Sequence, residues 1–305
     1  MISYDKLVKI LKQNGLKKSD LTKVLGISSR TIVKIGKGEK IADNVLRKIA
    51  EYFGCLVEDL YREVCDNPVL QVLREEMENK ISGGLYHETQ VRLTYNSNRI
   101  EGSKLSEDQT RLIFETNTIG MEDGVPVDDI IETSNHFRAL DYVIEHAEED
   151  LTEDFIKELH HILKTATSDS RLSWFRVGDY KAKPNTVGGT PTISPNQVCV
   201  EIQKLLTWYT GIERVAFENI VEFHYRFEKI HPFQDGNGRV GRLIAFKECL
   251  RHGIVPFIIE DSKKMFYYRG LREWNNEKGF LIETCLDGQD TYKALLKYFE
   301  IEIRS

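Results

Sequence analysis

The sequence has no long uninterrupted run of apolar residues. Nowhere in its 305 residues does a stretch approach the roughly 18 apolar residues that a helix needs to cross a bilayer. Residues 1–15, MISYDKLVKILKQNG, show amphipathic helical spacing and lack both the apolar block and the cleavage site of a signal peptide. The sequence therefore predicts a cytoplasmic protein with no membrane partner.

Cysteine is scarce, and no pairing pattern connects the few cysteines that are present. They are odd in number and widely scattered, at Cys55, Cys65, Cys199, Cys249 and Cys285. This distribution fits neither a disulfide framework nor the CxxC spacing of a structural metal site. We expect reduced thiols in or near the core. The sequence also has no internal repeat and no low-complexity stretch.

The net charge of −6 is unevenly distributed along the chain. Residues 1–65 contain 13 Lys and Arg against 8 Asp and Glu, a net charge of +5, whereas the remainder carries −11. A basic segment joined to an acidic body indicates an anionic partner for the basic segment alone. The length is sufficient for two domains, and 41% hydrophobic with 30% charged residues is typical of a globular protein.

The first 65 residues predict four short helices in a compact bundle. Apolar residues recur at helical spacing, Ser19 can cap the second helix, and Gly26 ends it. The segment LTKVLGISSRTIVKIGKGEKI resembles the helix-turn-helix of Xre/Cro-type repressors, winged or plain. The resemblance implies that the next helix enters the DNA major groove and that four residues reach bases or phosphates, namely Ser29, Arg30, Thr31 and Lys34. A bundle used only for docking or dimerisation is the alternative.

The remainder of the chain has the pattern of a mainly α-helical domain. A break at Asp66-Asn67-Pro68 and the sequence Ser82-Gly83-Gly84 place a linker helix at 66–84, between a domain at 1–65 and a domain at 85–305. Helical spacing predicts helices at 85–100, 106–117, 127–148, 152–165, 196–211, 214–230, 239–252 and 263–276. Residues 176–195, which include VGDYKAKPNTVGGTPTISP, have instead the composition of a β-hairpin.

One short segment combines the residue types that phosphate chemistry requires. Residues 231–242 read HPFQDGNGRVGR and follow an apolar helical pattern that Pro232 ends, so His231 is expected at the mouth of a loop. The backbone N–H groups of DGNG and the positive end of the following helix form an anion site. Arg239 and Arg242 add guanidinium groups suited to phosphate oxygens, and Asp235 is a hard oxygen ligand suited to Mg²⁺.

This segment matches HPFx(D/E)GNGRxxR, the signature of the Fic (filamentation induced by cyclic AMP) family, at every fixed position. The resemblance covers roughly residues 85–300 and implies an all-α Fic core with a β-hairpin flap. It implies a protein adenylyltransferase that transfers AMP from ATP to a Tyr, Thr or Ser hydroxyl of a target protein, and self-modification is one alternative for this target. In this hypothesis His231 accepts the hydroxyl proton, Asp235 holds Mg²⁺, and ATP binds to Gly236, Asn237, Gly238, Arg239 and Arg242, with Phe233 as the packing anchor of the loop.

Two further segments resemble substrate-binding elements of the family. Thr186, Val187 and Gly188 fall where Fic proteins have the flap whose edge positions the target by strand-like pairing. Tyr267 and Asn275 lie in a sequence similar to the YYxxLxxxN element of the family. This similarity implies that they help to hold the nucleotide base.

A third segment resembles an inhibitory motif. Ser97-Asn-Arg-Ile-Glu101-Gly102 is similar to the (S/T)xxxE(G/N) sequence of Fic proteins. The resemblance implies that Glu101 pairs with Arg242 and displaces the γ-phosphate of ATP, because a carboxylate in the guanidinium fork competes directly with a phosphate oxygen. An ordinary helix end at Gly102 is the alternative.

Other interpretations stay open at this point. Residues 236–241 also fit GxGxxG, with Glu260 and Asp261 about 20 residues further on, as in a dinucleotide-binding unit. That unit needs a buried strand before the first glycine, where the sequence shows a helix followed by polar HPFQD. With Glu101 positioning water, the same site could instead remove AMP from a protein. The helical core could also serve only as the sensor of a DNA-binding regulator, and a homodimer is a further expectation.

Overall fold

The computed structural model of the chain describes residues 2–63, 67–120 and 124–303. The chain divides into two compact units, Met1–Asp66 and Asn67–Ser305. Cys65 and the sequence-based boundary at residues 65–66 lie outside the described residues. The other four cysteines are free thiols.

The first unit is a four-helix bundle with one short strand pair. Its helices are α1 Asp5–Gln13, α2 Asp20–Leu25, α3 Ser29–Gly36 and α4 Asp43–Phe53. Strand β1 Ile2–Ser3 pairs antiparallel with β2 Arg62–Glu63. This pair joins the beginning of the unit to its end, so the described part of the unit contains no separate wing. All four helices contribute to one small apolar core, which includes Leu7, Leu21, Ile35, Leu46 and Ile49.

Local signals explain where the helices of this unit begin and end. Gly26 follows α2 in the left-handed conformation, with φ of 65°, as expected of a glycine at a tight turn. The hydroxyl of Ser28 accepts a hydrogen bond from the Thr31 N–H at 3.2 Å and caps α3. The predicted cap at Ser19 is wrong, because its side chain makes no capping hydrogen bond. Instead the Asp20 carboxylate accepts from the Lys17 N–H at 2.9 Å.

The second unit is mainly α-helical, as the sequence predicts. Its helices are α5 Pro68–Asn79, α6 Leu85–Ile100, α7 Glu107–Thr116, α8 Val127–Glu145, α9 Glu153–Lys164, α10 Pro195–Thr210, α11 Phe217–Ile230, α12 Asn237–Arg251, α13 Lys264–Glu273 and α14 Gly279–Tyr298. None of the helices in the described ranges combines the length and apolar character that crossing a bilayer requires.

Helix α12 lies at the centre of this unit. All its residues from Asn237 to Leu250 are buried, and it packs against α6, α8, α9 and α11. Helix α6 is also largely buried although it is rich in polar residues. Because α12 is enclosed on every side, its first turn and the carboxyl end of α11 have fixed positions relative to one another.

The predicted hairpin is short. Strand β3 Thr186–Val187 pairs antiparallel with β4 Thr190–Pro191, and Val187 lies opposite Thr190. Both strand pairs in the described part of the chain are two-stranded and antiparallel. A parallel sheet is therefore absent from the described residues, which excludes the dinucleotide-binding interpretation of residues 236–241 there.

Candidate functional site

His231 lies directly after α11, where the chain leaves the helix. Its N–H still donates to the Phe227 carbonyl at 2.9 Å, but its own backbone is left-handed, with φ of 51°. A non-glycine residue seldom adopts this conformation, and such strain is concentrated at functional sites. Its side chain is 18% exposed. The sequence before the loop therefore places a partly accessible imidazole at the end of a buried helix.

The environment of His231 keeps its imidazole neutral. Burial lowers the pKa of His231 to about 4, and the Lys181 ammonium acts in the same direction. At pH 7 the ring is therefore unprotonated and able to accept a proton.

The loop after His231 is held by its own side chains. The Phe233 N–H donates to Oδ1 of Asn237 at 2.7 Å, and Nδ2 of Asn237 donates back to the Phe233 carbonyl at 2.9 Å. The Phe233 ring is fully buried and stacks on His160, with 3.9 Å between ring centroids. The side chains of Asn237 and Phe233 thus shape the loop, and only the backbone of Asn237 is left to face a ligand.

Lys181 connects this loop to the flap. Its buried ammonium donates to the His231 carbonyl at 2.8 Å, to Oδ1 of Asn185 at 2.8 Å and to the Thr192 hydroxyl at 2.6 Å. Burial lowers the pKa of Lys181 to about 8. Nδ2 of Asn185 also donates to the Phe233 carbonyl at 3.1 Å. The base of the flap is therefore bonded to the catalytic loop predicted from the sequence.

The first turn of α12 faces the carboxylate of Glu101. Gly236 precedes the helix with φ of 80°, a conformation that glycine adopts freely. A Cβ built on Gly238 would collide with the Glu101 carboxylate and lie 2.9 Å from Nη1 of Arg242. Glu101 can approach the helix backbone this closely only because residue 238 is glycine. The carboxylate occupies the positive end of the helix, where a phosphate would bind.

Arg242 is buried and bonded to residues 97–102. Its Nη2 donates to Oε1 of Glu101 at 2.7 Å and to the Ser97 carbonyl at 2.9 Å, and its Nε donates to the Ser97 hydroxyl at 3.0 Å. Burial would lower the pKa of Arg242, but the Glu101 carboxylate outweighs it and raises the pKa further. Gly102 follows Glu101 with φ of 102° and lets the chain turn away. The structure thus brings together the residues that the resemblance pairs.

A second charged cluster surrounds Asp235. Oδ2 of Asp235 accepts from Lys164 at 2.7 Å and from Arg239 at 3.1 Å, while Glu132 contacts both of these cations. Burial alone would raise the pKa of Asp235, but Arg239 and Lys164 hold it well below its usual range. The carboxylate is therefore ionised at neutral pH and half exposed.

This donor set fits a magnesium ion that is shared with phosphates. Among the described residues, no three His, Cys, Asp or Glu side chains are grouped closely enough to hold a metal ion unaided. Mg²⁺ commonly binds through one or two carboxylates, with water and substrate phosphates as its other ligands. An ionised Asp235 beside the first turn of α12 meets that requirement.

Lys164 is expected to stabilise the fold, because its buried ammonium neutralises this cluster. Its side chain is only 2% exposed and also lies 3.2 Å from Asp169. We expect Lys164→Met to lower the free energy of unfolding by about 3 kcal/mol, since the substitution removes a buried ammonium and leaves the largely buried Glu132 with one cation fewer. Urea denaturation measures this change. The matched control is Lys157→Met on the same helix, whose partly exposed ion pairs with Glu153 and Asp179 should contribute less than about 1 kcal/mol. Equal effects of the two substitutions would contradict the prediction.

The residues predicted to hold the base are placed differently from one another. Tyr267 is 1% exposed, its hydroxyl is 2.8 Å from Nε2 of His224, and its ring lies 5.9 Å from the guanidinium of Arg242. Asn275 is exposed, and its carbonyl oxygen accepts from the Tyr225 hydroxyl at 3.2 Å. The buried ring of Tyr267 therefore packs near Arg242. Contact of Tyr267 or Asn275 with a nucleotide stays a prediction.

In the flap, all three predicted residues, Thr186, Val187 and Gly188, are exposed. The side chain of Val187 is 50% exposed. Both edges of such a two-stranded hairpin have unpaired backbone groups on their outer sides. This geometry is available for strand-like pairing with another segment.

In the first unit, α3 presents part of its predicted surface to solvent. Ser29 and Arg30 are exposed, whereas Thr31 and Lys34 are half-buried. The Thr31 hydroxyl is 2.9 Å from that of Ser28 and so belongs to the helix cap. Arg30 is thus the predicted contact residue with the most accessible charge.

Sequence reasoning missed four charged residues of the site, Glu132, Lys164, Lys181 and Glu228. Each lies in an ordinary amphipathic or loop pattern, where a charged residue indicates a solvated surface. One signal was available for Lys181, which lies inside the predicted flap among polar turn residues. Nothing in the local sequence distinguishes the other three.

The two units match two known domain families. Residues 150–248 match the Fic/DOC family, and residues 6–66 match the Cro/C1-type HTH DNA-binding domain. The Fic/DOC match includes the flap, His231 and most of α12, but it does not include Glu101 or α13. The chain thus contains a Fic/DOC segment and a Cro/C1-type helix-turn-helix.

Relatives support the same assignment. The protein adenylyltransferase Fic of Drosophila erecta is 30% identical over 99 residues, which are 31% of this chain and 20% of that protein. The chain therefore aligns with only about a fifth of that relative. A Fic domain containing signaling protein from Bacteroides thetaiotaomicron is 27% identical with a TM-score of 0.56, over 75% of this chain and 88% of that one. Fic-1 from Caenorhabditis elegans has a TM-score of 0.59 at 19% identity, and the match covers 96% of this chain and 84% of that one. The two proteins share the fold.

Proposed function

We propose that this chain, in which a Fic/DOC segment follows a Cro/C1-type helix-turn-helix, is a protein adenylyltransferase that transfers AMP from ATP to a hydroxyl group of a target protein. One observation carries this proposal. The neutral imidazole of His231 lies in the same loop that leads into the first turn of α12, where two buried arginines, Arg239 and Arg242, are held. A proton acceptor and an anion site therefore adjoin, as nucleotidyl transfer requires.

In the proposed reaction, His231 accepts the proton of the target hydroxyl while its oxygen attacks the α-phosphorus of ATP. A new bond forms between that oxygen and phosphorus, the bond from phosphorus to the β-bridging oxygen breaks, and pyrophosphate leaves. Because burial favours the neutral ring, His231 is in the correct state to accept this proton without prior deprotonation.

The phosphates are proposed to bind at the first turn of α12. The backbone N–H groups of residues 236–238 are unpaired within that helix, and its dipole favours negative charge there. Arg239 lies in the same turn and is held by Glu132 and Asp235. Asp235 would hold Mg²⁺, which when bound neutralises phosphate charge and supports departure of pyrophosphate.

Glu101 is proposed to inhibit the reaction. Its carboxylate pairs with Arg242 at 2.7 Å and lies against Gly238, so it occupies the position that the γ-phosphate would use. ATP must displace it or bind with its triphosphate shifted.

The exposed flap at Val187 would hold the target segment by strand-like pairing, which presents a Tyr, Thr or Ser hydroxyl to His231.

Labelled ATP tests this function. The purified chain, with the Glu101→Gly form beside it, is incubated with Mg²⁺, cell extract and ATP carrying label on either the α- or the γ-phosphate. Retention of only the α-label on protein supports AMP transfer. Retention of the γ-label, or of neither label, overturns it. Release of AMP from a pre-modified target without any labelling would show the reverse reaction instead.

DNA binding is proposed for the first unit, because it matches a DNA-binding domain and carries the exposed Arg30 on α3. We expect Arg30→Ala to weaken binding of the parent chain to duplex DNA and to reduce the slope of log K against log salt by about 1, since each phosphate contact releases counterions. Fluorescence anisotropy at several salt concentrations measures both. Lys12→Ala, at the end of α1, is the control, and an equal loss in the two variants would contradict a specific role for α3.

A further inference from the structure

Glu228 lies close to His231, the proposed proton acceptor. It belongs to the last turn of α11, three residues before His231, and its Oε2 is 3.9 Å from Nδ1 of His231. Its side chain is only 12% exposed. The proposed transfer gives this carboxyl group no role, although it lies beside the imidazole.

The glycines of α12 bring Glu228 close to Glu101. A Cβ on Gly238 would meet the Glu101 carboxylate, and a Cβ on Gly241 would lie 2.7 Å from Oε1 of Glu228. Gly238 and Gly241 are three residues apart on one helix, and such positions are neighbours separated by about 5–6 Å. The two carboxyl groups therefore approach adjacent points on one face of α12, beside the guanidinium of Arg242.

The neighbours of Glu228 keep it protonated at neutral pH. Burial raises the pKa of Glu228 to about 8, and the negative charge of Glu101 adds to this effect, while Arg242 opposes it. Nδ1 of His224 and the buried ring of Tyr267 complete its surroundings on α11 and α13. Its Oε1 accepts no hydrogen bond within the described part of the chain. An uncompensated second carboxylate beside Glu101 would be costly here.

We propose that Glu228 is a positioning residue for His231 and that Glu101 prevents it from acting while the site is inhibited. The proposal rests on the proposed function for the role of His231. When Glu101 leaves Arg242, one of the two causes that oppose ionisation of Glu228 is removed, and Arg242, which favours ionisation, loses its carboxylate partner. The Glu228 carboxylate then accepts a hydrogen bond from Nδ1–H of His231 and leaves the lone pair of Nε2 for the target hydroxyl.

The proton balance of the transfer is then complete. The target hydroxyl proton moves to Nε2 of His231, which makes the ring a cation, and the ionised Glu228 stabilises that cation without taking a proton from it. Such an orienting carboxylate holds one tautomer of the imidazole. Inhibition by Glu101 thus has two consequences, since it occupies the phosphate position and it leaves His231 without an ionised carboxylate beside Nδ1.

Rate measurements provide the first test. In the Glu101→Gly background, we expect Glu228→Gln to lower kcat for AMP transfer on the order of 10- to 100-fold, with less than a threefold change in KM for ATP. Glu228 makes no proposed contact with the nucleotide, so binding should be unaffected. The matched control is Glu222→Gln on the same helix, whose carboxylate pairs at the surface with Arg226 and Lys278 and whose loss should leave kcat unchanged.

The second test reads the tautomer of His231 without any nucleotide. Nitrogen-15 NMR of the ring distinguishes Nδ1–H from Nε2–H, and the signals of His231 among the eight histidines are assigned by their loss in His231→Ala. At pH 7 we expect the Nδ1–H form to dominate in Glu101→Gly and to decline to a mixture in Glu101→Gly/Glu228→Gln. An identical tautomer distribution in these two forms overturns the proposal, whatever the rates show.

A titration of the parent chain needs no substitution of Glu228. As pH rises through about 8 the Glu228 carboxyl ionises, and we expect the Nδ1–H fraction of His231 to rise with it. A tautomer distribution that is constant from pH 6 to pH 10 overturns the proposal. If Glu101→Gly transfers no AMP, the proposed function fails, yet both NMR measurements still decide the role of Glu228.

Discussion

Replacing Glu101 with glycine is expected to raise AMP transfer on the order of 100-fold. The carboxylate holds Arg242 at 2.7 Å and lies against Gly238, and both positions must be vacated before a triphosphate can bind productively. A hydrogen bond to a charged group contributes about 1.5–3 kcal/mol, and about 1.4 kcal/mol corresponds to a factor of ten. The measurement is incorporation of α-label into protein at saturating ATP.

Two comparison variants separate the causes of this activation. Glu213→Gly removes an exposed glutamate from the loop between α10 and α11 and should leave the rate unchanged. Glu101→Gln keeps the size of the side chain but removes its charge, so an intermediate rate would show that charge and volume both contribute. The inhibitory role of Glu101 would be disproved if its glycine variant labelled protein no faster than the parent.

Replacing His231 with alanine in the Glu101→Gly background is expected to lower the rate by about 10²- to 10⁴-fold, the usual contribution of a general base. ATP affinity, measured by calorimetry, should change little, because the proposed phosphate contacts belong to α12 and its arginines. The variant should also fold normally, since the His231 ring is partly exposed and the parent chain already has the backbone strain at φ of 51°.

The matched variant for this experiment is His161→Ala. This histidine lies on α9 and is exposed, so it should not change the rate. Retained labelling in the His231→Ala form would show that the imidazole is not the proton acceptor. Loss of ATP binding in that form would show instead that the substitution had damaged the phosphate site.

The helices of the second unit were predictable because their patterns are long and regular. The interval 85–100 deduced from apolar spacing is the interval of α6, and α9, α10 and α12 begin within two residues of expectation. Helix ends with two adjacent polar residues were harder to predict, and Ser19 before α2 of the first unit is an example. Its hydroxyl was a plausible cap, but the neighbouring Asp20 bonds to the backbone instead, and spacing alone cannot distinguish two adjacent capping residues.

The continuous segment from His231 to Arg242 could be recognised from the sequence because its chemistry depends on neighbours along the chain. A helix end, a glycine turn and a helix beginning place the imidazole, the backbone N–H groups and the arginines in one loop, whatever surrounds them. The basic character of residues 1–65 and their helical spacing were equally local properties. These features were sufficient to propose the type of chemistry and to predict the class of fold.

The partners of that loop come from several elements, most of them far away in the sequence. Ser97 meets Arg242 across 145 positions, and Glu132 meets Arg239 across 107, while Lys181 and Glu228 surround His231 from the flap and from α11. Charged residues in amphipathic helices look alike before folding, since burial is what separates an ion pair in the core from a solvated surface. The amino-acid sequence therefore determined which residue types the site contains, whereas the protonation states of Glu228, His231 and Asp235 depend on the tertiary packing around α12.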